Sequence, residues 1–518
     1  QSKTTELEGL IVGFHRSDKT PWKSERFSKD EIKLLSKLQQ LKIPVIVTVF
    51  VKPYAVAQLN KTNAFDGLLL SYQNNPIVQQ LSADLLFGIQ AAKGKLPVRI
   101  GTAYPLNYGL DMPAAGRMGY TQPVNVGFSV EKLKKVDALA KVAIDSAMTP
   151  GMQILAARNG KIFYHKSFGH HTYNKKQPVQ NSDLYDLASL TKIFGTLPLI
   201  MQAMDSSHIK LNTPLKNLFP EWEKSNKGDL TVQEMLSHYA RLTPWIAFYK
   251  ETLDEDKKPK KRFYRKKRSQ RFPTQVATPL YLRRDYNKEI YKAIEKSSLL
   301  DSLYYNYSDL PFIIFKEFLE RRYEKPLDRL MEEHFYSPME LKRTTYTPLR
   351  KFDKNEIVPS EIDTYFRYLE LDGDVHDMGA AMLGGVGGHA GLFSNAFEVA
   401  VMLQLFLQKG TYNSKHYFSA TTFDQFNTCY YCSQGNRRGV GLDKPFLEGG
   451  SENTCGCVSP ASFGHLGFTG TYAWADPETQ ILFVFLSNRT YPTMENTLLG
   501  DHDIRTRMQR LIYEARID

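Results

Sequence analysis

The sequence predicts two domains in succession: an α/β sandwich on a parallel sheet over residues 1–125, and an α+β domain over residues 131–518. The second is expected to hold an antiparallel sheet flanked by helices, with a helical subdomain beside it. Two patterns carry this expectation. In the first 125 residues, short apolar runs alternate with segments of helical period, as when strands of a parallel sheet are joined by helices. Near the other end, two strand-like runs flank Asp476-Pro477-Glu478-Thr479, whose turn chemistry marks an antiparallel hairpin. A length of 518 residues is ample for two cores.

Four runs, 10–14, 44–50, 67–72 and 98–101, are the strands expected in the first domain. In the second, His238 reads as a helix-end residue. Leu310 and Pro311 open an apolar helix, and the runs 472–475 and 481–487 form the late hairpin.

Ser189-Leu190-Thr191-Lys192 places a hydroxyl and an amine three residues apart at the start of a helix, hence on one face. A serine hydroxyl needs a base to become a nucleophile, and lysine can serve once its pKa falls. Ser-x-x-Lys is therefore an acyl-transfer signature. Its bland alternative is a helix start with a solvated lysine. Downstream come Tyr307-Ser308-Asp309, in a polar loop before the apolar helix, and His465-Leu466-Gly467 followed by Phe468. Tyr304-Tyr305-Asn306 offers a rival frame for the tyrosine; Tyr307 fits better because Pro311 and Phe312 then lead into the helix.

The order Ser-x-x-Lys, Tyr-x-Asn/Asp, then Lys/His-x-Gly on a late strand resembles the penicillin-recognising serine hydrolases. These include class C β-lactamases, D-alanyl-D-alanine carboxypeptidases and β-lactamase-like esterases. Val375-His376-Asp377 and the glycine-rich stretch 384–394 also look like landmarks of that superfamily, so the second domain is expected to be β-lactamase/transpeptidase-like. The resemblance implies Ser189 as nucleophile, Lys192 as its base and Tyr307 as proton relay. It places His465 at the third motif, Asp309 beside the substrate, and an oxyanion between the backbone amides of Ser189 and Phe468, with Gly467 admitting the substrate to that strand. It implies no metal and no cofactor. Two positions depart from the pattern. The third motif normally begins with lysine, whose fixed charge helps hold a carboxylate, whereas His465 is mostly neutral at pH 7. Asp309 stands where many relatives have asparagine, an acceptor in place of an amide donor. The neutral His465 shifts the expected role from β-lactamase towards esterase or peptidase.

In the first domain, Val51-Lys52-Pro53-Tyr54-Ala55, Ala91-Ala92-Lys93-Gly94-Lys95-Leu96-Pro97 and Arg117-Met118-Gly119-Tyr120 resemble the C-terminal α/β domain of glycoside hydrolase family 3. That resemblance implies a chain similar to the C-terminal half of a bacterial β-N-acetylglucosaminidase fused to a serine hydrolase. The start at Gln1 fits a fragment, and the glycosidase barrel of the same protein is an expected partner. Glycosidase activity is expected to be absent.

The net charge of +12 is local, since ten Lys/Arg and no acid lie between Lys257 and Arg271. Nucleic acid is therefore not an expected partner. The run is either a solvated mobile loop or a contact for an anionic surface. Cys429, Cys432, Cys455 and Cys457 form two close pairs, readable as disulfides, as a poorly spaced zinc set or as free thiols; the pairing is not deducible. The expected function is an exported, periplasmic or surface-associated serine hydrolase acting on an ester, peptide or amide of cell-wall origin. The alternative is an idle module that holds glycan or peptide.

Overall fold

The computed structural model describes residues 7–17, 27–59, 65–446 and 453–517. The chain divides into two compact units, Gln1–Gly119 and Tyr120–Asp518. In the first, β1 (Leu10–His15), β2 (Val45–Phe50) and β3 (Gly67–Leu70) form a parallel sheet in that order, with Leu10 opposite Val45 and Ile46 opposite Gly67. The central strand has Val47 and Val49 fully buried, as expected of a strand covered on both faces. Helix α1 (Lys29–Leu38) starts at a capping box between Ser28 and Glu31, and α2 (Pro76–Leu86) at an Asn75 cap with proline in its first turn. The run 98–101 is not a strand of this sheet. Pro97 removes a donor, and residues 96–108 pair among themselves instead, Ile100 with Tyr104 and Leu96 with Asn107 and Tyr108.

The second unit is built on an antiparallel sheet. Its strands are β4 (Gly151–Arg158), β5 (Lys161–Gly169), β6 (Phe463–Leu466), β7 (Tyr472–Asp476) and β8 (Ile481–Ser487), in the order β6-β7-β8-β4-β5. Asn159 and Gly160 turn β4 into β5 with φ of 53° and 72°, the left-handed pair a two-residue hairpin turn requires. On one face, Met152, Ile154, Tyr472, Trp474, Phe483 and Phe485 pack against α3 (Val130–Asp145) and the last helix, Ile504–Glu514. Residues alternate across a strand, so Leu155, Ala473 and Val484 face the other way, and they too are buried. A thoroughly apolar helix, Ala396–Leu407, covers these strands.

The basic segment is folded. Tyr264–Arg265 pairs with Leu280–Leu282, which pairs with Thr274–Ala277, and the rings of Phe263 and Phe272 are buried beneath cations such as Arg262 and Arg265. The four cysteines form two local disulfides, Cys429–Cys432 and Cys455–Cys457. Among the described residues, no helix is long and apolar enough to cross a membrane.

Trp474 is 1% exposed and donates its indole N–H to Ser462 Oγ at 3.0 Å. Trp474→Ala is expected to cost about 3–5 kcal/mol in urea unfolding followed by circular dichroism. Trp245→Ala, at a side chain 52% exposed, is expected to change stability by less than about 0.5 kcal/mol.

Candidate active site

Ser189 is presented by a tight turn between the buried strand Tyr185–Asp186 and the helical segment that follows. Ala188 takes φ 46°, a left-handed conformation uncommon for a residue with a Cβ. Asp186 stabilises that turn. Its buried carboxylate accepts the amide of Ala188 at 2.9 Å and that of His376 at 2.7 Å. The first helical turn is wide, π-helical over Lys192–Thr196, before α4 (Leu197–Asp205). Lys192 nonetheless lies on the same face as Ser189, donating to Ser189 Oγ at 2.9 Å.

Lys192 is fully buried. Besides Ser189 it contacts the carbonyl of His389 at 3.2 Å and Asp309 Oδ1 at 2.6 Å. Burial alone would lower its pKa; the Asp309 carboxylate and the neighbouring Tyr307 phenol more than reverse this, so Lys192 titrates above the ordinary lysine range. Held this way it is an ammonium at neutral pH, a state without the lone pair that the base role expected of Lys192 would use. Asp309, expected beside the substrate, spends one oxygen on that ion pair.

The Tyr307-Ser308-Asp309 loop rests on residues 238–244. Ser308 Oγ donates to the Thr243 carbonyl at 2.7 Å, the Asp309 amide to Pro244, and the Ser308 amide to His238 Nδ1 at 3.2 Å. Tyr307, and not the half-exposed Tyr304, lines the cavity. Its ring centroid is 5.0 Å from Lys192 Nζ, and its buried hydroxyl interacts with that ammonium. Burial raises its pKa, while Lys192 and, more weakly, Arg438 pull it back; the net direction is upward.

The third motif closes the site. Gly467 leads into a turn fastened to the nucleophile loop by two hydroxyls, Thr469 Oγ1 to the Asp186 carbonyl at 2.8 Å and Thr471 Oγ1 to that of Leu187 at 3.0 Å. Among the described residues, neither the Ser189 nor the Phe468 amide donates to a protein acceptor. Two vacant N–H groups, held by one stitched pair of loops, can receive a developing oxyanion. His465 donates Nδ1–H to the Leu466 carbonyl at 2.7 Å, so its buried Nε2 is an unprotonated acceptor. Burial, reinforced by the charges of Arg438 and Lys192, keeps it far below the usual histidine range and neutral. The cavity has a volume of about 550 Å³, and its walls include Ser189, Tyr307, Arg438, His465, Phe468 and Arg505.

Sequence reasoning missed His238 and Arg438. The His238 ring lies 4.6 Å from that of Tyr307, and Arg438 stands 5.1 Å from the same ring. A left-handed His238, φ 53°, ends the short helix Val232–Leu236 and turns its ring inward. The histidine within the 237–242 turn was the available signal; Arg438 had none. Asp183 pairs with His171 at 2.7 Å, and Asp186 brackets the nucleophile turn. His376 and His389 brace loops, against Glu361 at 3.2 Å and Asp377 at 2.8 Å.

The β-lactamase family profile matches residues 136–505, and the chain belongs to that family. It is 27% identical over 399 residues to an Escherichia coli K12 protein named "Putative D-alanyl-D-alanine carboxypeptidase", covering 72% of this chain and 85% of that one. It is likewise 27% identical over 404 residues to the N-acetylmuramyl-L-alanine amidase of Bacillus subtilis strain 168, covering 70% and 82%. The fold superposes on EstCE1, a hydrolase with promiscuous acyltransferase activity, with a TM-score of 0.53 and 18% identity over 74% of this chain and 99% of that one. The second unit is thus a β-lactamase-like serine hydrolase with cell-wall-related relatives.

A Cβ on Gly467 would overlap Thr471 Oγ1 and stand 2.6 Å from the Leu187 carbonyl. Gly467→Ala is expected to part the two loops and withdraw one oxyanion donor. Acylation of Ser189 by a fluorophosphonate should slow by about 10²–10³-fold, measured by intact-protein mass spectrometry over time.

Proposed function

We propose that the chain is an exported serine hydrolase that cleaves an ester or amide of cell-wall origin through an acyl-enzyme on Ser189. The observation that carries this reading is the Ser189 hydroxyl held 2.9 Å from the Lys192 ammonium, next to two amides with free hydrogens, in an open cavity. An idle binding module has no use for that combination. The names of the E. coli and B. subtilis relatives support a cell-wall substrate and an exported location.

With Lys192 held charged, it steadies Ser189 Oγ by donating to it and leaves Tyr307 to take the proton. The buried Tyr307 oxygen interacts with the same ammonium. The Ser189 oxygen forms a bond to the acyl carbon as its proton passes to Tyr307. The oxyanion rests on the Ser189 and Phe468 amides. The bond to the leaving group then breaks, and that group departs with the proton from Tyr307. Water repeats the sequence on the acyl-enzyme, its proton going to Tyr307, and Ser189 is regenerated. Asp309 acts through Lys192 as a positioning residue.

The parallel sheet of the first unit supports its reading as the C-terminal domain of a family 3 glycoside hydrolase, whose catalytic barrel would be its partner. The exposed cations between Lys257 and Arg271 are read as its contact with an anionic surface.

Ser189→Ala should lower hydrolysis of p-nitrophenyl butyrate at least ~10³-fold and shift Tm by no more than about 2 °C. Persistence of the hydrolysis would defeat the proposal. p-Nitrophenyl N-acetylglucosaminide should remain uncleaved, because two carboxyl-type groups must flank a glycosidic bond and, on this reading, the nucleophilic one belongs to the barrel. Because the pKa of Tyr307 is raised, its phenolate is scarce at neutral pH, so kcat/KM should climb with pH from 6 to 9. Tyr307→Phe should flatten that climb.

A further inference from the structure

We infer that Arg438 supplies the fixed positive charge on which Tyr307 depends, in place of the charge that His465 cannot carry. The inference rests on the proton route proposed for Tyr307 and adds a positioning residue to it.

Three observations converge. The Arg438 guanidinium carbon stands 5.1 Å from the Tyr307 ring centroid, almost the distance of Lys192 Nζ at 5.0 Å; Lys192 is paired with the Asp309 carboxylate, which opposes its effect on the phenol, whereas Arg438 is not. Arg438 is only 4% exposed, and a charge so buried is weakly screened at that range. Two imidazoles also face Tyr307 and neither carries charge: burial keeps His238, its ring 4.6 Å away, far below the usual histidine range, and His465, its ring 5.8 Å away, is neutral because Nδ1 is committed to the Leu466 carbonyl and Nε2 is buried. The third-motif position therefore contributes no charge.

Arg438 is also held in place. Its amide donates to Asn436 Oδ1 at 3.0 Å, and its Nε reaches Tyr305 Oη at 3.2 Å and Asp443 Oδ1 at 3.3 Å. Asp443 does not cancel the charge. It is shared with Arg437, which contacts the same carboxylate at 3.0 Å, so the three groups carry a net +1. Nη1 of Arg438 is buried without a hydrogen-bond partner. A guanidinium stays protonated throughout the working pH range, so Arg438 cannot exchange protons with Ser189 or the leaving group. Its influence is electrostatic: it favours the phenolate of Tyr307 over the phenol.

The test is the pH dependence of kcat/KM for p-nitrophenyl butyrate in the full chain. In Arg438→Gln the alkaline climb should move up by about one pH unit or more, with about a tenfold loss at pH 7 and KM nearly unchanged. Arg438→Lys should keep the climb within about 0.3 unit of wild type. Adding His465→Lys to Arg438→Gln should bring it back, because the charge returns from the opposite neighbour. An unshifted climb in a folded Arg438→Gln overturns the inference, as does failure of both lysine variants. Should Arg438→Gln not fold, Asp443→Asn gives the same test with the opposite sign, moving the climb to lower pH; no movement overturns the inference. Tyr307→Phe separates the two readings. If it keeps the wild-type climb, the proton route through Tyr307 fails. If it abolishes the climb while Arg438→Gln leaves it in place, only the role of Arg438 fails.

Discussion

A lysine ammonium with no exposed surface is the constraint around which this site is arranged. Removing such a charge from water costs several kcal/mol unless partners replace the lost hydration. Lys192 has three: Ser189 Oγ, the carbonyl of His389 and the carboxylate of Asp309. Each comes from a different part of the chain. Satisfying one buried charge therefore draws together the nucleophile turn, the glycine-rich segment and the tyrosine loop.

The sign of the Lys192 shift has a consequence for stability as well as chemistry. A folded-state pKa above the unfolded value means that this pairing stabilises the fold fully below about pH 10.5. The contribution is lost only as pH rises through the higher folded value. The ion pair is thus intact throughout the range in which a hydrolase of this kind would act. Asparagine at position 309 would donate to or accept from the amine without fixing its charge. The acid at 309 thereby moves the demand for a proton acceptor from Lys192 to Tyr307. The neutral His465 leaves that tyrosine with one cation fewer nearby, and the Arg438 guanidinium stands at the matching distance.

What was legible in the sequence was local. Ser189 and Lys192 are three residues apart, and a single helical turn brings them together whatever the rest of the chain does. The late hairpin was readable because Asp476-Pro477-Glu478-Thr479 allows little else between two apolar runs, and β7 and β8 flank it as expected. Tyr307 was separable from Tyr304 by the proline and phenylalanine that follow it. The run 98–101 misled because four apolar-rich residues look alike in a strand and in a self-paired turn. Arg438 reaches Tyr307 across 131 residues of sequence, and no periodicity encodes such a meeting. The charge state of Lys192 was not legible for a related reason: a pKa depends on the sum of burial and neighbours, and its partner Asp309 comes from a distant part of the chain.

The most direct test of this account is the charge of Lys192 in the resting protein. Protein labelled with ¹³Cε,¹⁵Nζ-lysine would be titrated by NMR from pH 6 to 10, with Lys192→Arg identifying the resonance. The account predicts an ammonium signal that does not titrate below about pH 10 and that falls to a lower pKa in Asp309→Asn. A neutral amine at pH 8 in the unmodified protein would contradict it and return the role of base to Lys192.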